Sequence, residues 1–421
     1  MVGILGGGIA GLAAAYELGK NGREYALFEK DSEVGGLLKN FTIEGFRFDQ
    51  AIHLSFADEK EVRDIFDQTP YLAHKPESTC FETDLYLRHP VQNNLYPLSV
   101  GEKITLIESF CERQNLNPNN YDEWLVHQYG EAIADRYPRK YTVKYWDCDA
   151  SHLGLDWIGN RMHRPNLEQI LEGAFSDKIP NYYYAKEMRY PKKGGYISFL
   201  DPIVRDVSVN LNHELYCIDL DAKQLKFSNG NSYHYQQLIN TIPLPTLIER
   251  ALKVPDEIKE AARRLEWTKV IIVSFGFDKK VNINSLWSYI YDEDIYASRI
   301  YSPSWKSGEN CPKGTSSVQF EIYQSSKRTS PRFDKIIENC RYAIKKMDIA
   351  TVEDVVVEDL RVLPYGNVVF YNGVEQDREK VIKYLESKSV QCAGRFGAWE
   401  YYWSNQAFMS GLSAARKLVD L

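Results

Sequence analysis

The feature that most constrains this chain is its opening run. Val2-Gly3-Ile4-Leu5 is a short apolar stretch that ends in Gly6-Gly7-Gly8-Ile9-Ala10-Gly11. A helix-forming segment follows from Leu12 to Lys20, Asn21-Gly22 stops it, and a second apolar run from Tyr25 to Phe28 closes on Glu29. Strand, G-x-G-x-x-G, helix, strand and acid in that order predict a βαβ unit that binds a dinucleotide. Gly6 permits the tight turn, Gly8 lets a pyrophosphate reach backbone N–H groups, and Gly11 lets helix and strand pack closely. The helix N-terminus supplies partial positive charge to the diphosphate. Glu29, 18 residues beyond Gly11, stands where an acid accepts hydrogen bonds from the ribose hydroxyls.

After Glu29 the chain reads Lys30-Asp31-Ser32-Glu33-Val34-Gly35-Gly36-Leu37. The spacing E-K-x-x-x-x-G-G resembles the glycine doublet that follows the ribose acid in amine-oxidase-like and glutathione-reductase-like flavoproteins. The dinucleotide implied is therefore FAD, with Gly36 at its side.

At 421 residues the chain is longer than one usual domain and predicts two or three lobes. Residues 98–180 are mainly amphipathic and helical, as in Glu102 to Cys111 and Asp122 to Tyr129, with a break at Asn117-Pro118-Asn119-Asn120. The helical reading runs from Val100 to about Ile179. Phe41 to Phe48 alternates as a hairpin leading to His53, and Leu238 to Pro243 reads as a strand returning to the nucleotide fold. Val270 to Phe277, Ser317 to Tyr323 and Val355 to Val362 read as strands of a second sheet, and Gly394 to Leu421 ends in a helix. The fold class expected is α/β, a Rossmann-type FAD-binding domain with a helical lobe and a second, antiparallel β-sheet substrate domain. The FAD domain takes 1–75, 190–265 and 390–421, the helical lobe 98–180, and the substrate domain 76–97 with 266–389.

A net charge of −7, with no basic stripe, argues against a nucleic-acid partner, so an anionic ligand needs locally placed arginines. The seven cysteines are scattered without C-x-x-C spacing, which supports neither a disulfide framework nor a zinc site, and no other metal site is expected. No apolar run approaches the roughly 18 residues of a membrane span, and the opening strand leaves no room for a signal peptide. A cytoplasmic protein is expected.

Several further segments resemble the flavin-dependent UDP-galactopyranose mutases, closest to their eukaryotic branch. They are Pro90-Val91-Gln92-Asn93-Asn94; Tyr121-Asp122-Glu123-Trp124-Leu125 with Tyr145-Trp146; Trp157-Ile158-Gly159-Asn160-Arg161; Ser298-Arg299-Ile300-Tyr301-Ser302-Pro303; Phe370-Tyr371 with Asp377-Arg378-Glu379; and Gly394-Arg395-Phe396-Gly397-Ala398-Trp399-Glu400-Tyr401, continuing to Asn405-Gln406. The resemblance implies that a nucleotide sugar is interconverted between pyranose and furanose forms, with reduced flavin N5 as nucleophile at the anomeric carbon. It implies Arg161 and Arg299 on the substrate diphosphate, with Tyr371 and Tyr401 as neutral donors, and Gln92 and Trp146 as further substrate contacts. Arg395 and Gln406 are implied at FAD, and His53 near the isoalloxazine. Guanidinium forks suit phosphate oxygens, and tyrosines add hydrogen bonds without a second charge.

The chain departs from that pattern at Ala51-Ile52-His53, where the family carries Gly-Gly-His, at His89 in place of a tyrosine, and at Thr142 in place of an asparagine. Those changes leave the sugar and base open. No second G-x-G-x-x-G marks a reductase domain, so NAD(P)H or another reductant has to bind transiently. A homo-oligomer is neither required nor excluded. The competing expectation is an FAD-dependent oxidoreductase of the amine-oxidase or protoporphyrinogen-oxidase type, which shares the N-terminal unit but does not account for the paired arginines. A flavin-binding protein without turnover is the third.

Overall fold

A computed structural model describes residues 1–114, 117–178, 180, 182 and 185–419. Ile179 and Leu421, where two of the sequence-based spans end, lie outside them.

The N-terminal unit forms as its pattern predicts. β1 (Val2–Leu5) is buried throughout, α1 (Ile9–Lys20) follows, and β2 (Tyr25–Phe28) lies parallel to β1. β1 is the centre of a parallel five-stranded sheet ordered Val390–Cys392, Gln237–Asn240, β1, β2, Val209–Asn210. The strand Gln237–Asn240 thus runs beside β1 and delivers Thr241 to the glycine turn, where its N–H and hydroxyl both donate to the Leu5 carbonyl. The C-terminal helix Ser404–Val419 lies close against α1, because both present small residues at the crossing. A Cβ on Gly411 would fall 2.1 Å from the Ala10 carbonyl oxygen.

The second sheet has eight strands. Its long members Glu266–Phe277, Ser316–Ser325 and Val355–Leu363 pair antiparallel, and Arg299–Tyr301 adds antiparallel to Ser316–Ser325. One junction is parallel: Ser288–Ile290 beside Thr79–Glu82. The expectation of an antiparallel sheet holds at the other junctions. Alternation along Ser316–Ser325 sends Val318, Phe320 and Ile322 into an apolar core with Phe275 and Ile344, while Gln319, Glu321 and Tyr323 take the opposite face.

The helical region comprises Val100–Cys111, Tyr121–Tyr129, Glu131–Ala134, Lys140–Trp146 and Leu167–Phe175. Ser99 and Glu102 form a capping box, and Asn120 caps the helix after the proline–asparagine break. A π-helical segment, Asp135–Arg139, contains Pro138, and the Thr142 hydroxyl donates to the carbonyl of that proline at 2.7 Å. The helix Val374–Ser387 packs on Asp256–Arg264, burying Val374, Val381 and Leu385 beside Ile258 and Ala261. Where the parallel sheet, the second sheet and the helices meet, they enclose one cavity of about 1080 Å³.

Candidate active site

At one end of the cavity the wall is the glycine turn. Gly6 has φ +99°, and a Cβ there would strike the Thr241 hydroxyl oxygen at 2.5 Å. A Cβ on Gly11 would stand 1.9 Å from the Gly6 carbonyl oxygen, so Gly11 is required by packing and does not line the cavity. Gly8 is different: it lines the cavity, and a Cβ on it would meet nothing within 4 Å. Buried Glu29 accepts from the Gly7 N–H at 2.6 Å and the Asp31 N–H at 3.0 Å. Gly36 has φ +55° and faces the Gly8 Cα, while the Gly35 N–H donates to the Gly7 carbonyl at 2.8 Å. The glycine doublet is therefore folded onto the glycine turn.

At the other end the wall is side chains. Arg161 donates to the Tyr401 carbonyl, and its guanidinium carbon lies 4.1 Å from the Tyr401 ring centroid and 3.9 Å from that of Trp403. The Tyr401 hydroxyl donates to the Tyr145 hydroxyl at 3.0 Å, which donates to Asn367 Oδ1 at 3.4 Å. Arg395 donates through Nε to the Tyr402 carbonyl at 2.8 Å and reaches the same Asn367 oxygen. Arg299 sits opposite Glu321 in the strand register and donates to its Oε2 through Nε at 2.8 Å, with Nη2 2.6 Å from the same oxygen and 2.7 Å from the Tyr323 hydroxyl. Burial opposes the charge on Arg299, but the carboxylate of Glu321 holds the guanidinium above its ordinary range.

His53 also faces this cavity. Burial, reinforced by the Lys306 and Arg395 cations against the opposing pull of Asp49, lowers its imidazole to about 4, so it is neutral at pH 7. Gln92 donates to the His163 carbonyl at 3.2 Å, as does Tyr129 at 2.7 Å, and Trp146 is buried edge-on to Tyr145 and tilted against Tyr401. His89 and Thr142 line the same cavity.

Thus Gly6, Gly8, Glu29, Gly36, His53, Gln92, Trp146, Arg161, Arg299, Arg395 and Tyr401 converge on one space. Besides Gly11, two residues expected there do not. The Tyr371 hydroxyl donates to Asp377 at 2.6 Å, a carboxylate that also takes Arg264, and Tyr371 lines a separate depression with Asn119 and Gly154. Its strand-side neighbour Leu153 and the helix starting at Val374 turn it away from the cavity. Gln406 accepts from the Trp403 N–H at 2.9 Å and so closes the first turn of the C-terminal helix. Sequence reasoning missed Glu321, Tyr323, Tyr145 and Asn367. The signal for two of them was present: Gln319, Glu321 and Tyr323 alternate with Val318, Phe320 and Ile322, a polar face on a strand that is otherwise core.

The model of the flavin containing amine oxidoreductase family matches residues 9–419. The chain belongs to this family. Among solved structures, reduced UDP-galactopyranose mutase superposes over 100% of this chain and 95% of its own, with TM-score 0.95 and 25% identity. A redesigned putrescine oxidase covers 100% of this chain and 99% of its own at TM-score 0.68 and 15% identity, which is a likeness of fold. In sequence, 4,4'-diaponeurosporene oxygenase of Staphylococcus haemolyticus is 39% identical over 232 residues, 50% of this chain but only 41% of that relative.

The family and the mutase likeness imply FAD, and this flavin oxidoreductase family member has the residues to hold it. Gly8 presents open space rather than a side chain, and the N-terminus of α1 has no side-chain cap, so its N–H groups remain for a diphosphate. The Glu29 carboxylate uses two of about four acceptor positions on protein N–H groups, leaving room for ribose hydroxyls. Further along the same wall, Asn367 Nδ2 and the Tyr141 hydroxyl are buried and find no hydrogen-bond partner among the described residues. Buried donors of that kind call for a polar ligand. Among the described residues no cluster could hold a metal ion, and no helix is long and apolar enough to cross a membrane.

Proposed function

We propose that this chain is a flavin-dependent mutase that interconverts the pyranose and furanose forms of a nucleoside-diphosphate sugar. The observation that carries this reading is the single cavity that joins the glycine turn to two arginines, Arg161 and Arg299. The full-length likeness to reduced UDP-galactopyranose mutase supports it. When bound and reduced, FAD supplies a nucleophilic nitrogen for the sugar's anomeric carbon.

The chain's own residues do the rest. Arg161 and Arg299 hold the diphosphate as it leaves the sugar, which keeps it in place to return to the same carbon. Tyr401 and Tyr145, hydrogen-bonded to each other, stand beside it as neutral hydroxyls that add no further charge. His53, neutral at pH 7, adds no positive charge to this wall. Trp146, Tyr401 and Trp157 pack as a mutually tilted aromatic group that excludes water from the sugar. Gln92 and the His163 segment close the far end, where the nucleobase belongs in this reading. The reading places the reaction in the cytoplasm, with NAD(P)H or another donor as reductant, and makes the product a furanose donor for cell-surface polysaccharide.

Sequence relatives such as the oxygenase of Staphylococcus haemolyticus favour a second reading, an FAD-dependent oxidoreductase. Two cations and an array of tyrosine hydroxyls suit a charged, hydroxylated substrate better than a hydrocarbon. The test is to incubate the purified holoprotein, oxidised and dithionite-reduced, with a panel of nucleotide sugars. Anion-exchange chromatography and an oxygen electrode report the outcome. The mutase reading predicts isomeric products from the reduced protein alone. Substrate-dependent oxygen uptake without isomerisation would establish the oxidoreductase instead.

A further inference from the structure

Glu321 is fully buried, and both of its oxygens are committed to different parts of the cavity wall. Oε2 takes Arg299 and, at 3.1 Å, the Tyr323 hydroxyl. Oε1 takes the Ile52 N–H at 2.6 Å. Ile52 stands between Ala51 and His53, the segment in which this chain lacks the glycines. Ala51 adopts φ +96°, a conformation that a residue with a Cβ holds only when its surroundings impose it. The surroundings here are one strand face: Gln319 donates to the Asp49 carbonyl at 3.1 Å, and Glu321 holds the N–H after Ala51. The same carboxylate therefore fixes the backbone of 51–53 and orients Arg299.

We infer that Glu321 is a positioning residue that couples occupancy of Arg299 by a diphosphate to the backbone of Ala51–His53. The inference rests on the mutase reading for the identity of the anion. Arg299 is neutralised by Glu321, so an arriving diphosphate competes with that carboxylate for the guanidinium. As Arg299 turns toward the ligand, Glu321 loses a partner, and the carboxylate can follow only by moving Ile52. Ligand binding is thereby reported to the segment that the mutase reading sets against the flavin.

The test uses FAD holoprotein of wild type, Glu321→Gln and Glu321→Asp. It measures the flavin midpoint potential without nucleotide, UDP affinity by calorimetry, and the flavin difference spectrum that UDP induces. Glu321→Gln removes the competing charge, so UDP should bind on the order of ten times more tightly, the potential should rise, and the difference spectrum should shrink. Glu321→Asp keeps the charge but cannot span both partners. It should bind UDP within about twofold of wild type and lose most of the difference spectrum. If Glu321→Gln does not fold, the aspartate variant decides alone. Wild-type difference spectra in the aspartate variant, or wild-type potential and affinity in the glutamine variant, would overturn the coupling. Failure of wild type to bind UDP or any other nucleoside diphosphate would instead refute the mutase reading, and the ligand-free potentials would then decide the link from Glu321 to the 51–53 segment.

Discussion

At the glycine turn, the cavity wall is backbone from one short stretch, Gly6 to Glu29, with Gly35 and Gly36 folded onto it. At the arginine end, it is side chains from Arg161, Arg299, Tyr323, Asn367 and Tyr401, each from a different stretch of the chain. The first wall needs absences: room at Gly8, contact without a side chain at Gly11. The second needs presences, held in register by a sheet and by charge pairing. A backbone site tolerates no added atom, whereas a side-chain site fails one contact at a time.

The comparison is broken most severely at the turn. Gly11→Ala places a Cβ against the Gly6 carbonyl, and should cost about 3 kcal/mol of stability or more along with nearly all bound flavin; urea unfolding and the ratio of flavin to protein absorbance check it. Gly8→Ala sharpens the contrast, because its Cβ enters open space. It should fold within about 1 kcal/mol of wild type yet lose most of its flavin. A wild-type flavin content there would mean that the turn is not the diphosphate cradle.

At the arginine end, Arg161→Ala and Arg299→Ala should each weaken UDP binding by about 2 kcal/mol, roughly thirtyfold, with flavin retained. Stability gives a second reading at Arg299. Arg299→Ala leaves Glu321 buried without its cation and should cost about 3 kcal/mol on unfolding. A loss below about 1 kcal/mol would mean that the buried carboxylate does not depend on that cation.

A smaller effect is expected from pH. His53 is lowered to about 4 and His89 to about 3, chiefly by burial. The folded protein thus resists protons that the unfolded chain takes up. Their contribution is fully present above the ordinary histidine value of about 6.5 and is lost progressively as pH falls toward 4. His53→Asn should flatten the decline of melting temperature over that window. Smallest of all, Tyr371→Phe should leave UDP affinity unchanged and cost about 1 kcal/mol for the lost bond to Asp377. A large loss of affinity would return Tyr371 to the site.

How much of this was legible in the sequence follows the same division. The turn is local, so residue type and spacing at Gly6, Gly8, Gly11 and Glu29 sufficed. The strand periods around Val270, Ser317 and Val355 carried the second sheet, but nothing local marked Ser288–Ile290 as parallel to Thr79–Glu82, because that pairing joins segments about 200 residues apart. Arg161, Arg299 and Tyr401 were found by resemblance. Tyr371 was found the same way and misplaced: a motif carries residue identity, whereas the direction of the side chain is set by Asp377 and the helix beside it. Glu321 was missed because its meaning lies in the register that sets it opposite Arg299. Its polar neighbours at alternate positions were the available sign.

The central claim is that this flavoprotein breaks and remakes the bond between a sugar's anomeric carbon and a diphosphate. The most direct measurement follows an 18O label placed in that bond of UDP-galactopyranose, incubated with reduced holoprotein and read by phosphorus NMR. The account predicts that the label scrambles into the non-bridging oxygens of the β-phosphate with reduced protein and stays in place with oxidised protein. A label that stays in place while reduced protein binds the nucleotide sugar would contradict it.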